Sequence, residues 1–206
     1  MFALAGGFGL MRKYVIAVFL IIVVVAVVII GVLQANTGAD VVTEDFEGDI
    51  GDWAVKGYVP QDPNNPGQTV DWHIIRVSNV SRSGTYSMEF FIDGRQDDGT
   101  IWLERKISAG ENAQIRVNVS FWLYSEQESV NTIAAVVAYA GNSKPQVEDD
   151  FAVVGVANEQ AGWKNYAYTT DLTTDSNGEI WVSVGISVRW ETFMTYYVDD
   201  VQIEIM

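Results

Sequence analysis

Hydrophobic and polar residues alternate with a period of two along most of the chain from residue 43 onward. The clearest stretch is IRVNVSFWLY, residues 115–124, in which every second residue from Ile115 to Leu123 is apolar. Side chains of a β-strand point alternately to its two faces, so this pattern predicts a half-buried strand. Further strands are predicted in YSMEFFI, TIWLERKI, NTIAAVVAYA, FAVVGVA, NYAYTTDL, IWVSVGISVRW and TYYVDDVQIEI.

Turn-forming segments separate these strands, among them DGRQDDG, SAGEN, AGNSKP and TDSNG. Eight or more short strands at this spacing predict an all-β sandwich. The segment 56–71 holds three of the four prolines. Proline cannot donate to a strand ladder, so this segment is predicted to be a long surface loop rather than a central strand.

A different pattern comes before the strands. Residues 14–33, YVIAVFLIIVVVAVVIIGVL, are 20 residues without a charge. About 20 apolar residues span a bilayer as a helix, whereas a signal-peptide core has roughly 7–15. Arg12 and Lys13 precede the run and every acidic residue follows it. The positive-inside rule therefore predicts a single-pass signal-anchor in the cell membrane, with the C-terminal domain outside the cell.

The alternative for this segment is a cleaved signal peptide, because LQA before Asn36 and TGA before Asp40 are acceptable small-residue sites. The predicted organisation is a cytoplasmic N-terminus at 1–13, a transmembrane helix at 14–33, a tether at 34–42 and an extracellular β-sandwich domain at 43–206.

Composition excludes several classes of function. The chain has no cysteine, which rules out disulfides, thiolate metal sites and a cysteine nucleophile. Its net charge is -15, which makes nucleic acid an unsuitable partner because phosphate binding needs a basic face. The single histidine, His73, lies in the strand-like VDWHIIRV, and no nucleophile elbow accompanies it. We therefore expect a hydrogen-bonded strand histidine and a protein that is not an enzyme.

Three motifs follow one another in the outer domain: EDFEGDIGDWAV opens it, SRSGTYSMEFFI lies in the middle and YYVDDVQIEI closes it. Together with GWKNYAYTTDL, they resemble the jelly-roll carbohydrate-binding modules of the galactose-binding-like superfamily, over about residues 43–206. The resemblance implies a jelly-roll β-sandwich that binds a polysaccharide or cell-surface glycan without catalysis, with Trp53 and Trp163 in its core. The same fold serves many proteins, so a structural or assembly subunit of a cell-envelope complex is the alternative.

The resemblance also implies a structural calcium ion between the first and last strands. Alternation with Val201, Ile203 and Ile205 predicts that Asp199 points inward and Asp200 outward. A buried carboxylate needs a partner, and calcium prefers oxygen ligands. The alternative is that Asp199 caps a loop through backbone N–H groups. The predicted ligands are the side chains of Glu47, Asp199 and Asp45, and the backbone carbonyls of Arg82, Ser83 and Gly84.

Aromatic residues supply the material for sugar binding. Aromatic rings stack on the apolar faces of sugars, while amides and charged groups bind the hydroxyls. Two sequons, at Asn79 and Asn118, compete with this idea because glycosylation of Asn118 would cover the proposed face. The predicted ligand-binding residues are Trp122, Tyr124, Arg116 and Asn118, joined by Trp181 and Arg189 if these two share the same sheet.

The membrane anchor leads to the first prediction. When cell membranes are extracted with alkaline carbonate, the chain should stay with the membrane fraction, because residues 14–33 are long enough to span it. Release of a protein that begins near Asn36 or Asp40 would show that the segment is a cleaved signal peptide.

Overall fold

Eleven strands form within residues 39–206, the part of the chain that the computed structural model describes. One short 3₁₀ turn, Glu148–Asp150, is the only helical element in that range. The strands are β1 Asp40–Glu44, β2 Ala54–Tyr58, β3 Trp72–Val77, β4 Ser87–Asp93, β5 Thr100–Ser108, β6 Gln114–Ser125, β7 Ala134–Gly141, β8 Ala152–Val156, β9 Gly162–Thr173, β10 Glu179–Val188 and β11 Phe193–Ile205.

The strands form two antiparallel sheets. The first sheet has the order β3-β4-β11-β6-β9, and β1 pairs with the last part of β11. The second sheet has the order β2-β5-β10-β7-β8. The prediction of an all-β sandwich is thereby confirmed.

The core lies between the two sheets and follows the period of two in the sequence. In β6 the apolar residues from Ile115 to Leu123 are buried, and the residues between them are partly or fully exposed. In β10, Ile180, Val182 and Val184 belong to the same hydrophobic cluster. Each sheet therefore has one inner and one outer face, and the outer faces are free to carry other chemistry.

The proline-rich segment differs from its prediction at one end. Its first three residues, from Lys56 to Tyr58, complete β2, an edge strand of the second sheet. An edge strand pairs on one side only, so a mainly exposed sequence is tolerated there. From Val59 to Asp71 the segment is irregular apart from one bridge between Gln61 and Thr69.

The inward orientation predicted for Asp199 is wrong. Asp199 pairs with Trp122, which alternates with the buried Phe121 and Leu123, so both side chains belong to the outer face of the first sheet. The pairing register then shifts between Asp199 and Gln202, and Asp200 has a φ of 48°. A β-bulge adds a residue to one strand and reverses the alternation beyond it, so the pattern of the final residues cannot be extended back to Asp199.

The predicted cytoplasmic segment 1–13 and transmembrane helix 14–33 lie outside the described residues. Within residues 39–206, no helix has the length and apolar character needed to cross a membrane. The first strand begins at Asp40, inside the predicted tether of 34–42, because Asp40 pairs with Ile205.

Replacement of Phe121 by Ala should lower the free energy of unfolding by about 3–5 kcal/mol, because the ring is fully buried between the sheets. Its outward neighbour provides the control: Ser120→Ala should change the free energy by less than about 0.5 kcal/mol. Urea unfolding of residues 40–206 measures both changes. Equal losses in the two variants would contradict the assignment of the faces of β6.

Candidate functional site

The outer side chains of β6 and their cross-strand neighbours on β9 and β11 form one continuous surface, here called the β6 face. Paired residues on antiparallel strands lie side by side on the same face of the sheet. Four steps of two residues separate its first and last rows, a length of about 27 Å. The rows are Trp163–Tyr124–Tyr197, Asn165–Trp122–Asp199, Ala167–Ser120–Gln202, Thr169–Asn118–Glu204 and Asp171–Arg116.

One end of the β6 face is aromatic. The ring of Tyr124 lies 5.4 Å from that of Trp163 and 5.9 Å from that of Tyr197, between ring centroids. Tyr197 is buried, and burial raises the pKa of its hydroxyl. Tyr124 and Trp163 are only partly buried. The core position expected for Trp163 is therefore wrong, whereas Trp53 is buried as expected.

Trp122, the predicted ligand platform, is partly covered. The guanidinium carbon of Arg82 lies 3.8 Å from the centroid of its ring. Arg82 also forms an ion pair with Asp200 at 2.5 Å. A cation stacked on one face of the indole is a favourable contact, and it occupies the face on which a sugar ring would lie.

The middle row of the β6 face has two small side chains, Ser120 and Ala167, beside the longer Gln202. At the far end Asn118 donates to Glu204 at 3.2 Å and accepts from Thr169 at 3.0 Å. Beyond it, Arg116 donates two hydrogen bonds to Asp171, at 2.7 and 3.0 Å. These bonds lower the pKa of the Asp171 carboxyl and raise that of Arg116. The middle is therefore a shallow trough next to a row of polar groups.

Open cavities continue the β6 face at both ends. Arg116, Asp171 and Met206 contribute to a cavity of about 620 Å³ at the polar end. Glu126 and Thr195 contribute to another of about 310 Å³ beyond the aromatic end. Inward residues such as Ile115 and Tyr196 line these cavities as well, so they open at the two ends of the sandwich beside the outermost rows.

Trp181 and Arg189 do not join this surface. Trp181 lies in β10, which pairs with β5 and β7 in the second sheet, and Arg189 follows directly after that strand. The expectation that both share a sheet with Trp122 is wrong. Alternation within a strand does not tell which sheet the strand joins, because this depends on pairings distant in sequence.

Asp199 is fully buried beneath the turn that follows β3. One of its oxygens accepts the backbone N–H groups of Arg82 and Ser83, at 2.8 and 3.2 Å, and the other accepts its own neighbour Asp200 N–H at 2.8 Å. Burial raises the pKa of this carboxyl, while the three N–H groups oppose the shift. These contacts match the alternative prediction, in which Asp199 caps a loop through backbone N–H groups.

Glu47, which lies near the start of the domain in the sequence, holds the same turn. Its Oε1 accepts the backbone N–H groups of Thr85 and Tyr86, at 2.8 and 2.7 Å. A Cβ on Gly84 would lie 2.4 Å from the Glu47 carboxyl carbon, and Gly84 has a φ of 56°, so only glycine fits there. Asp45 is exposed and accepts the N–H of Glu47 at 3.1 Å. Of the predicted metal ligands, Asp199 and Glu47 thus hold the turn through its N–H groups, whereas Asp45 contacts Glu47 rather than the turn.

This arrangement does not fit a calcium ion as it stands. Calcium takes six to eight oxygen ligands at about 2.3–2.6 Å. Here both carboxylate oxygens of Asp199 and Oε1 of Glu47 accept N–H groups, and within residues 39–206 no group of three acidic or histidine side chains converges on one point. Calcium binding stays a prediction from the resemblance.

The histidine behaves as a structural residue. His73 Nε2 lies 3.0 Å from Glu89 Oε1 on the neighbouring strand, and its ring stacks on Phe91 with centroids 5.0 Å apart. The expectation of a hydrogen-bonded strand histidine is confirmed.

No protein-family model matches the chain, and no curated protein matches it significantly. Among solved structures, TmCBM61 in complex with β-1,4-galactotriose is 18% identical, with 77% of this chain and 92% of that chain covered and a TM-score of 0.47. The CBM22-1 xylan-binding domain of Paenibacillus barcinonensis Xyn10C is 12% identical, with 82% and 96% covered and a TM-score of 0.48.

A third solved structure is the K3 cleaved adhesin domain of Lys-gingipain from Porphyromonas gingivalis w83. It is 15% identical, with 81% of this chain and 99% of that chain covered and a TM-score of 0.47. At these identities and scores, a ligand has to be inferred from the side chains of this chain.

Removal of the Asp199 carboxylate should cost more stability than removal of its neighbour. Asp199→Ala leaves two N–H groups of the turn unpaired, and a loss of about 1–3 kcal/mol is expected for a buried unpaired group. Asp200→Ala should cost about 1 kcal/mol or less, because its ion pair with Arg82 is partly exposed. Thermal melts of residues 40–206 compare the two. A larger loss for Asp200→Ala would contradict the capping role.

The same three proteins test the calcium ion. If calcium raises the melting temperature of the wild type and of Asp200→Ala but not of Asp199→Ala, the predicted calcium site exists. If each of the three proteins has the same melting temperature in calcium as in chelator, Asp199 is a hydrogen-bonded cap alone.

Proposed function

We propose that the β-sandwich is a non-catalytic carbohydrate-binding domain whose ligand lies along the β6 face. The observation that carries this proposal is the set of half-buried rings of Tyr124 and Trp163, which lie in register on the outer face of a sheet beside a polar trough. Rings left partly exposed on an outer face retain apolar surface that a ligand can cover.

In this proposal each part of the β6 face has a role in binding. The rings of Tyr124 and Trp163 stack on the apolar faces of one or two sugars. The trough at Ser120 and Ala167 provides the clearance for the chain to run on, and Asn118 and Thr169 lie in reach of its hydroxyls. A face about 27 Å long with cavities beyond both ends suits the interior of a polysaccharide rather than a single sugar.

The strand order supports the more specific jelly-roll assignment. From β4 to β11 each strand lies in the opposite sheet from the one before it, except that β8 pairs with β7 in the same sheet, so that β4-β11-β6-β9 faces β5-β10-β7-β8. A jelly roll is a double sheet of eight strands built from two Greek keys. β3 and β2 extend one edge of each group, and β1 pairs with the last part of β11.

We further propose that the domain is displayed outside the cell on the predicted anchor of residues 14–33. The described chain enters the sandwich at Asp40, which pairs with Ile205 near the polar end of the β6 face. The rings at Tyr124 and Trp163 lie at the other end of the same strands.

A docking role in an envelope assembly is the second candidate. It is favoured by Trp190 and Phe193, which are each 57% exposed in and beside the loop between β10 and β11. Large exposed apolar side chains grouped together mark interaction surfaces. Another protein of such an assembly would bind at this loop rather than along the β6 face.

Trp163→Ala and Tyr124→Ala should each weaken polysaccharide binding by about five- to tenfold, because each removes a stacking surface worth about 1 kcal/mol. Trp122→Ala should have a smaller effect, since Arg82 already covers its ring. Affinity electrophoresis of residues 40–206 in gels containing xylan, mixed-linkage β-glucan or galactan measures the change.

Trp190→Ala is the matched control, because it removes an exposed tryptophan from the loop between β10 and β11 rather than from a row of the β6 face. It should leave retardation in the gels unchanged. Loss of binding in Trp190→Ala but not in Trp163→Ala would place the ligand at the loop. Absence of retardation by all three polysaccharides would count against carbohydrate binding and favour the docking role.

A further inference from the structure

The first sheet ends in one long edge strand, β9, which pairs with β6 and with no other strand of the described residues. β9 has 12 residues, whereas the other strands that pair on one side only, β1, β2, β3 and β8, have five or six. An edge strand presents a row of unpaired N–H and C=O groups that can pair with a further strand. The free edge of β9 is therefore the longest such surface on the described sandwich.

The pairing of β9 with β6 shows which of its backbone groups point away from the sheet. In an antiparallel pair, a residue directs its N–H and C=O to the same side, and successive residues alternate between the two sides. The N–H of Thr174, just after the strand, donates to the C=O of Ala113 at 2.9 Å in the register that β9 keeps with β6. Even-numbered residues of β9 therefore bond to β6, and odd-numbered residues direct their N–H and C=O to the free edge.

Both ends of this free edge are occupied by side chains of the same chain. The side-chain amide of Gln160 donates to the C=O of Trp163 at 3.3 Å, and that of Asn142 donates to the C=O of Thr173 at 2.8 Å. Both accepting residues are odd-numbered, in agreement with the alternation. Between them, the outward backbone groups of residues 165–171 have no partner among the described residues.

The interval 165–171 lacks the usual protections of an edge strand. Exposed edges are normally protected by proline, lysine, a β-bulge or a short strand length. The sequence NYAYTTD holds no proline and no lysine, and its register with β6 has no bulge. Its only charged residue is Asp171, at one end. The exposed residues of the interval are Asn165, Ala167, Thr169 and Asp171.

The interval is complementary to a second copy of itself. Two antiparallel copies of β9, related by a two-fold axis at Tyr168, bring Asn165 opposite Asp171 and Ala167 opposite Thr169. No like charges then lie opposite each other, and the Asn165 amide can donate to the Asp171 carboxylate. Tyr168 lies opposite its own copy, and aromatic cross-strand pairs stabilise a sheet. The edge therefore fits the same edge of another molecule.

The charges near this edge are balanced, although the chain as a whole has a net charge of -15. Lys164 forms an ion pair with Glu159. Asp171 accepts two hydrogen bonds from Arg116, at 2.7 and 3.0 Å. A strongly basic or acidic partner would find no free counter-charge here. A neutral, self-complementary edge suits a second copy of this chain better than it suits a charged protein.

We infer that two copies of the chain associate through β9, so that their first sheets join into one continuous sheet. The outward backbone groups of residues 165–171 pair with those of the other copy across the two-fold axis at Tyr168. The outer side chains of β9 belong to the β6 face, so the dimer places two β6 faces side by side in opposite directions. The association itself needs no sugar and does not depend on the proposed function.

Sedimentation equilibrium of the full chain in detergent, and of residues 40–206 in buffer, measures the association. A single strand pair forms a small interface, so a dissociation constant of about 1–100 µM is expected. Ala167→Pro should raise this constant about tenfold or more, because the proline removes an outward N–H that only the second copy uses. Thr169→Lys, which places a lysine on the edge, should act in the same direction and covers the case in which Ala167→Pro fails to fold.

Val153→Lys is the matched control for the lysine variant. It places the same charge on the exposed edge strand β8, where Val153 is 60% exposed. It should leave the dissociation constant unchanged. An equal weakening by Val153→Lys and Thr169→Lys would show that added charge acts generally, and it would overturn the assignment to β9.

The register can be tested by disulfide formation, because the chain has no cysteine of its own. Tyr168 is even-numbered, so on the two-fold axis it forms a non-hydrogen-bonded pair with a Cα–Cα distance of about 4.5 Å, which a disulfide can span. Tyr168→Cys should therefore form a covalent dimer on mild oxidation. Val153→Cys, on the exposed β8 edge, should remain a monomer under the same conditions.

A wild type that stays monomeric at about 1 mM, above the expected range of dissociation constants, would overturn the inference. Covalent dimers of Tyr168→Cys that form no faster than those of Val153→Cys would overturn it as well. Dimerisation of residues 40–206 but not of the full chain would also overturn it, by showing that residues 1–39 occupy the edge. Polysaccharide binding is measured separately, so its absence would count against the proposed function and leave the dimer standing.

Discussion

The bulge in β11 is the constraint on which the first sheet depends. β11 pairs with β4 and β6 along its first half and with β1 and β6 along its second. Tyr196 and Val198 are buried before the bulge, and Val201, Ile203 and Ile205 are buried after it. A regular strand would place one of these two groups outside, so the extra residue at Asp199–Asp200 lets both halves face the core. The outward Asp199 then becomes buried because the turn at Arg82 closes over it.

This closure joins distant parts of the chain. Glu47, near the first strand, and Asp199, in the last, both accept N–H groups of the turn between β3 and β4. Arg82 extends from the turn to Asp200 and covers Trp122. The acidic pair thus fixes the position of the arginine that borders the β6 face, which links the stability of the domain to the shape of its proposed binding surface.

The two outer faces carry aromatic residues in different states. On the β6 face the rings of Tyr124 and Trp163 pack against each other and stay partly exposed. On the second sheet Trp102 is buried against the ring of Phe151. Apolar rings exposed to water promote unwanted association, and a bound ligand or a covering segment removes them from water. The net charge of -15 disfavours anionic ligands, since anionic chains would meet like charge.

Local pattern was sufficient to predict the strands, because alternation in a half-buried strand is imposed by the two faces of the sheet itself. It also predicted the buried Phe121 and the outward Trp122. It did not predict that Arg82 would cover Trp122, since the arginine reaches the ring only through a turn 40 residues earlier in the chain. The outward Trp163 was missed as well. Trp163 lies three residues before Tyr166 in the same strand, so the two side chains point to opposite faces, and this spacing in the sequence was a usable signal.

The sequence by itself determined the all-β class, the inner and outer residues of regular strands such as β6, the charge and the absence of cysteine chemistry. Only the tertiary structure decided that Asp199 lies on the outer face and that Trp181 belongs to the second sheet. It also decided that Phe151 and Lys144 lie against the rings of Trp102 and Trp181. The reason is physical: alternation is a property of one strand, whereas sheet membership, a bulge and the cover over a face are set by pairings between segments far apart in the chain.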